Sequence, residues 1–331
     1  MEDFKKLFDT FTRLKAGVIG DVMLDTYMWG GVERISPEAP VPVVSLHKKD
    51  YRIGGAGNVA LNVQSLGAEV SVLSVIGSDE DGDRLEQLFK ENNIYTNHLI
   101  RSSGRITTNK TRIISRNQQM MRLDAEITND LNDADTISLL DRVELFIAKE
   151  KPDVIIFEDY NKGVLTEKII RDVIGICKKS GVMTAADPKR KNFFSYKDVD
   201  IFKPNLKEVK EGLNLLLEEP DEDALANIHK ELTAILHHAV SLITLSEKGA
   251  YYQQNSHSAI IKSHLRNVAD VSGAGDTVIA VAALVYAATK NVQLMAEVAN
   301  IAGGLVCEEV GTVAINKGKL LHECELLLNQ K

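Results

Sequence analysis

Residues 268–284 read VADVSGAGDTVIAVAAL. After Val271 the small residues Ser272, Gly273, Ala274 and Gly275 permit a tight turn. The apolar run behind them, Val278 to Ala288, is too long for one strand and reads as a buried helix. That order leaves unpaired amides at a helix N-terminus, where a macrodipole worth about half a charge stabilises an anion. Asp276 falls in the first turn, beside the same spot. Aspartate also favours helix N-termini for capping alone, so the stretch taken singly fits a cap as well as a site. An anion hole next to a carboxylate suits phosphoryl transfer to an alcohol: the amides hold the phosphoryl charge while the carboxylate receives the hydroxyl proton.

Working outward, β-branched or apolar runs recur at 16–20, 69–77, 153–159, 182–187, 200–204 and 240–245. Between them lie segments of helical periodicity, NVALNVQSLG, DRLEQLFKENN, TISLLDRVELFIAKE and TEKIIRDVIGICKKSG, the last closing on two lysines and a glycine. Alternating strands and helices predict an α/β fold with a mostly parallel central sheet covered on both faces. Two places break the alternation. APVPVVSLHKKDYRIGG sets prolines around an alternating strand, and NKTRIISRNQQMMRLDAE reads as two strands joined near Asn117. They predict a small β-layer outside the main sheet, over about 28–48 and 107–124, serving as a lid over a site or as an ordinary edge hairpin.

The 331 residues are 44% hydrophobic, and at about 150 residues per domain they fit one large α/β domain or two ordinary ones. With no repeats or long linker, one domain over 1–331 with a small flap is expected. The net charge of −8, with acids and bases mixed throughout, advertises no basic face for nucleic acid and favours a small-molecule partner. The N-terminal segment lacks a signal-like apolar core, and Val278 to Ala288 falls short of the roughly 20 residues that span a membrane, so a cytoplasmic location without membrane contact is expected. Cys177, Cys307 and Cys324 are widely spaced and read as reduced structural thiols. The eight histidines are scattered and show no metal-ligand spacing.

In an open parallel sheet, ligands bind beyond the carboxyl ends of the strands. Polar residues collect there: Asp21 and Asp25, Asp159, Asp187, Asn205, Thr244 and Ser246. Each singly is an ordinary cap or turn former; the repetition at successive strand ends marks a site. P-loop, protein-kinase and dinucleotide fingerprints are missing.

These residues resemble the ribokinase-type (PfkB) family of carbohydrate kinases. The family's N-terminal glycine signature appears as GGAGNVALNVQSLGAEVSVLSVIGSDEDG and its C-terminal signature as DVSGAGDTVIA. GDVMLDTYMWGGVERISPEAPVPVV, SRNQQMMRLDAE, EDYNKG, ADPK and TLSEKGA are similar to the branch that phosphorylates D-glycero-β-D-manno-heptose 7-phosphate in lipopolysaccharide precursor synthesis. The resemblance implies a ribokinase-like fold, ATP and Mg²⁺ as cofactors, K⁺ in many relatives, a sugar phosphate substrate and a homodimer formed through lid strands. It implies Asp276 as catalytic base, with the amides of Gly273, Ala274 and Gly275 as the anion hole. Asp25, Gly54, Gly55 and Asn58 match sugar-contacting positions, and Asn117, Arg122, Asp159, Lys162, Asp187 and Lys189 complete the expected acceptor pocket. Asn205 and Glu208 match the motif that positions hydrated magnesium and the ATP phosphates. Thr244, Ser246 and Gly249 match the nucleotide-binding turn, Asn300 a position near adenine, and Asp270 and Ser272 a monovalent-cation site. The sequence departs from the wider family at Ser246, where many members have glycine, and by one fewer residue between the glycine pair and Asn58.

A 7-phosphate needs cations, and Arg116, Arg122, Lys162, Lys189, Arg190 and Lys191 are on offer. Some relatives carry a C-terminal adenylyltransferase domain; nothing after about residue 325 encodes one, so a separate enzyme is expected to use the product unless this chain is a piece of a longer protein. The helix dipole is expected to keep Asp276 ionised and weakly basic.

Overall fold

The computed structural model describes residues 3–116, 118–217, 220–264 and 266–329. The strands are β1 (Lys15–Gly20), β2 (Val22–Ile35), β3 (Pro42–Gly55), β4 (Glu69–Gly77), β5 (Tyr95–Ser102), β6 (Asn109–Ser115), β7 (Gln118–Ala125), β8 (Val154–Glu158), β9 (Met183–Asp187), β10 (Ile201–Phe202), β11 (Val240–Thr244), β12 (Ala250–Gln254) and β13 (His257–Ile261). The helices are α1 (Phe4–Thr10), α2 (Ala56–Ser65), α3 (Glu80–Glu91), α4 (Asp133–Glu150), α5 (Glu167–Ser180), α6 (Leu206–Leu213), α7 (Glu222–Leu236), α8 (Ala274–Thr289), α9 (Val292–Val306) and α10 (Lys317–Leu328).

Nine strands form one sheet in the order β13-β12-β11-β10-β9-β8-β1-β4-β5. It is parallel except for the hairpin pairings of β11 with β12 and β12 with β13. Successive residues of its inner strands are buried on opposite faces. Val18, Val72, Ile156 and Leu242 pack with α1, α2, α3, α8, α9 and α10, whereas Ile19, Leu73, Ile155 and Ile243 pack with α4, α5, α6 and α7. This two-sided burial is why the strands read as continuous apolar runs. Helix α8 is buried at every residue from Asp276 to Tyr286.

Strand register then sets the site. Gly20 pairs with Glu158, and Glu158 with Asp187, so the carboxyl ends of β1, β8 and β9 lie level. The two-residue β10 is followed by Lys203 and then by Pro204, which has no backbone N–H.

The predicted β-layer is a four-stranded sheet in the order β3-β2-β6-β7. It exceeds the predicted bounds because β2 supplies fourteen residues, antiparallel to β3 and parallel to β6. Strands β5, β12 and β13 were not expected: β5 and β13 are largely half-buried or exposed, and β12 offers only the short buried run Ala250 to Tyr252. No described helix is long and apolar enough to cross a membrane.

Candidate active site

Gly273 caps α8 in the left-handed region at φ 78°, and a Cβ there would lie 2.7 Å from the Asn58 amide nitrogen. Only glycine brings the turn this close to α2. Asp276, 4% exposed, accepts from Asn58 Nδ2 at Oδ2 and from the Tyr160 hydroxyl at Oδ1, both at 2.7 Å. Burial pushes its carboxyl above the ordinary aspartate value; the two hydrogen bonds and the Lys203 ammonium oppose this, while Asp187 adds to it. Burial thus works against the ionised form that the helix end was expected to favour.

Beside Asp276 lies a buried charge cluster. The Lys203 ammonium, 2% exposed, sits 2.7 Å from Asp187 Oδ2. Lys189 reaches Asp187 Oδ1 at 3.3 Å and Glu208 Oε1 at 2.8 Å. Burial alone would raise the Asp187 pKa, but the two lysines hold it below the usual range. A Cβ on Gly275 would stand 3.6 Å from Asp187 Oδ2 and 3.7 Å from the Lys203 ammonium, so this pair lies against the α8 amides. Glu158 is fully buried, and neither carboxyl oxygen has a partner among the described residues. Burial, then Asp187 and Asp276, raise its pKa well above the ordinary value and favour its neutral form.

The expected nucleotide residues follow along the strand ends. Asn205 and Glu208 form a reciprocal capping box on α6, each side chain 2.8 Å from the other's backbone nitrogen. Thr244 bridges to Asn205 at the end of β11, and Ser246 and Gly249 follow in a turn with positive φ. Asn300 on α9 donates to the Lys262 carbonyl at 3.0 Å. Asp270 accepts from the Ser272 nitrogen, the Ser272 hydroxyl and the Gly311 nitrogen at 2.8–2.9 Å.

Several expected acceptor residues fall elsewhere. Asp159 points to the opposite face of the sheet from Asp276, accepting from Tyr196, Asn192 and the Asn161 nitrogen. Burial, with Asp21 nearby, raises it to about 6, and its role is corrected to that of an internal pin. Arg122, half exposed on β7, is occupied by Asp124 at 2.8 and 2.9 Å. Lys162 pairs with Glu126, Lys191 with Asp130, and Arg116 sits in the β6–β7 turn. Asn117 lies outside the described residues.

Other cations stand where the acceptor was expected. Asp25, beside Gly54, is paired with Arg112 of β6. Lys110, two residues earlier on the same face, lies over the Tyr160 ring at 5.4 Å and has no carboxylate partner among the described residues. Arg112 and Arg52 both stack on Tyr27, at 5.2 and 4.7 Å. The alternation NKTRIIS carries the signal for Lys110 and Arg112, two residues apart on one strand face. For Lys203 it is a lysine closing an apolar strand, and for Tyr160 and Glu158 the sequence holds no separate signal.

A doubly covered sheet with a buried carboxylate behind a glycine-capped helix N-terminus defines a sugar-kinase class of site. The chain belongs to the pfkB family of carbohydrate kinases, whose sequence profile matches residues 14–317. It is 41% identical over 296 residues to the bifunctional protein HldE of Aliarcobacter butzleri, covering 89% of this chain and 61% of that protein. To the HldE of Helicobacter acinonychis it is 38% identical over 318 residues, covering 95% and 66%. The chain thus spans about two thirds or less of these relatives' length. Its fold matches Escherichia coli phosphofructokinase-2 in complex with potassium at a TM-score of 0.79 and 16% identity, over 96% of this chain and 99% of that one. It matches Arabidopsis thaliana ribokinase complexed with ribose and ATP at 0.72 and 17%, over 93% and 98%.

Proposed function

We propose that this chain transfers the γ-phosphoryl group of ATP to the C1 hydroxyl of D-glycero-β-D-manno-heptose 7-phosphate, giving the 1,7-bisphosphate for ADP-heptose synthesis. The observation that carries the chemistry is the Asp276 carboxylate, buried and held by two hydrogen bonds in the first turn of α8. The HldE relatives, at 34–41% identity, favour heptose over other acceptors.

ATP with Mg²⁺ supplies the transferable phosphoryl group and part of the charge neutralisation. Asn205, Glu208, Thr244, Ser246, Gly249 and Asn300 are proposed to hold it, with Glu208 reaching the metal through water. These residues fit that load, because Glu208 is a carboxylate braced by a capping box and the Lys189 ammonium. Asp25, Gly54, Gly55 and Asn58 orient the sugar. Asp276 takes the C1 hydroxyl proton as the new O–P bond forms and ADP departs with the broken β,γ-bridge electrons. The amides of Gly273, Ala274 and Gly275, with Lys203, hold the equatorial phosphoryl charge. The small sheet serves as a lid, and Lys110 and Arg112 on its inner face supply cations for the acceptor's phosphate. Potassium is proposed at Asp270 and Ser272, and a homodimer through lid strands.

A second reading, a kinase for fructose 6-phosphate, draws on the fold shared with phosphofructokinase-2. ADP release with heptose 7-phosphate, fructose 6-phosphate and ribose separates them. Heptose 7-phosphate is expected to give the highest kcat/KM, and preference for either other sugar overturns the heptose assignment.

A further inference from the structure

Tyr160 is tied to its surroundings at both ends. Its backbone nitrogen donates to Asp21 Oδ2 at 2.9 Å, and the same carboxylate takes the nitrogens of Lys162 and Val164 at 3.0 Å each. One buried aspartate at the end of β1 therefore pins the whole loop after β8. Two ammonium groups lie over the Tyr160 ring, Lys110 at 5.4 Å and Lys189 at 5.6 Å. Its hydroxyl donates to Asp276 Oδ1 at 2.7 Å. Asn58 occupies the other oxygen at the same distance, so the two donors hold the carboxylate's plane from opposite elements, α2 and the β8 loop.

We propose that Tyr160 is a positioning residue for phosphoryl transfer: it orients the Asp276 carboxylate and tunes its basicity through the hydroxyl hydrogen bond. This inference rests on the reading of Asp276 as the general base. Each oxygen of the carboxylate accepts two hydrogen bonds, so with one taken by Tyr160 or Asn58 each keeps a lone pair for the acceptor hydroxyl. The groups facing Asp276 are Asn58 from α2, Tyr160 and Glu158 from β8 and its loop, Asp187 from β9 and Lys203 after β10. Of these, Tyr160, Asn58 and Lys203 favour the ionised base, whereas Asp187 and Glu158, when ionised, oppose it. Tyr160 itself remains protonated, because burial and then Asp276 push its phenol well above the ordinary value. Losing its donor leaves the desolvation of Asp276 less compensated and makes the base harder to ionise.

The test uses the full chain with ATP–Mg²⁺ and heptose 7-phosphate, following ADP release from pH 5 to 9. Tyr160→Phe keeps the ring and its two cation contacts and removes only the hydroxyl. It is expected to lower kcat on the order of tenfold to a hundredfold, to leave both KM values within about threefold, and to move the acid limb of kcat/KM to higher pH. Replacing Tyr160 by 3-fluorotyrosine, a stronger donor, is expected to move that limb to lower pH. A kcat and an acid limb unchanged in both variants overturn the proposal, as does a loss of activity with no movement of the limb in either. Asp276→Asn is assayed alongside. If it retains near-normal turnover, the base assignment fails and the inference with it; if it is inactive while Tyr160→Phe behaves as the parent, only the inference fails.

Discussion

Asp276→Asn removes the proposed proton acceptor and keeps the shape of the side chain, so kcat is expected to fall by about 10²–10⁴-fold with ATP affinity retained, measured by ADP release and by nucleotide titration. Near-normal turnover would place the base elsewhere. Because burial raises the Asp276 pKa, activity should fall with acidification at a higher pH than an exposed aspartate would allow. Lys203 gives a second residue-level expectation. Removing it leaves Asp187 without its closest countercharge, next to Glu158 and Asp276. Lys203→Met should therefore destabilise the fold by about 3–5 kcal/mol in urea unfolding, and adding Asp187→Asn should recover part of that. If the double variant is no better than the single one, the pair is not the source of the loss. The place of Asp276 in the first turn of α8 was legible in the sequence because it depends on local order: small residues, carboxylate, apolar helix. Asp159 misled because Glu158 and Asp159 are neighbours on one strand end and point to opposite faces. Which of them meets α8 depends on the sidedness of the sheet, and no local pattern contains that.

At the level of elements, the junction of α2 and α8 is held by a glycine. Gly273→Ala puts a Cβ into the left-handed region and 2.7 Å from the Asn58 amide. It should cost about 1–2 kcal/mol of stability and, by moving Asn58 off Asp276, lower kcat on the order of tenfold. Unfolding curves and turnover check the two effects separately. The far edge of the sheet carries a different device. Ser241 of β11 lies between His238 Nε2 at 2.6 Å and His229 Nδ1 of α7 at 2.8 Å. Burial, reinforced by His229, lowers the His238 pKa to about 3. The unfolded chain then binds more protons than the folded one between about pH 6.5 and pH 3, so stability falls as pH drops through that window. From pH 7 to pH 5 the loss assigned to His238 is about 2 kcal/mol. His238→Phe should flatten that part of the urea-midpoint profile, and an unchanged slope would refute the assignment. Helices α2 to α5 were readable from periodicity, and α5 also from its closing lysines and glycine. Strands β5 and β13 were not, because a half-exposed edge strand has too few buried positions to stand out, and β12, inside the sheet, buries only the short run Ala250 to Tyr252.

At the scale of the whole molecule, the small sheet presents two unlike faces. Lys110 and Arg112 project to the side of Tyr160 and Asp25, so by strand alternation the row Met28–Ile113–Met121, in register across β2, β6 and β7, belongs to the other side. Met120, Met121 and Leu123 on β7 are 47%, 55% and 51% exposed, an apolar density that solvent alone does not favour. Strand β7 is also a free edge, whose unpaired backbone groups offer a template for another strand. This layer was foreseen as an alternating strand and a two-strand segment, but the parallel pairing of β2 with β6 joins residues as distant as Leu24 and Asn109 and leaves no local mark. A second copy of the chain meeting this face would cover both the edge and the apolar row while keeping the cationic face toward the acceptor. Sedimentation equilibrium is therefore expected to show a dimer for the parent chain and a monomer for the Met121→Lys, Leu123→Lys variant. Because the inner face bears the proposed phosphate cations, the monomer should also show a raised KM for heptose 7-phosphate with the KM for ATP nearly unchanged. A variant of dimeric mass with parental kinetics would remove the lid as the interface.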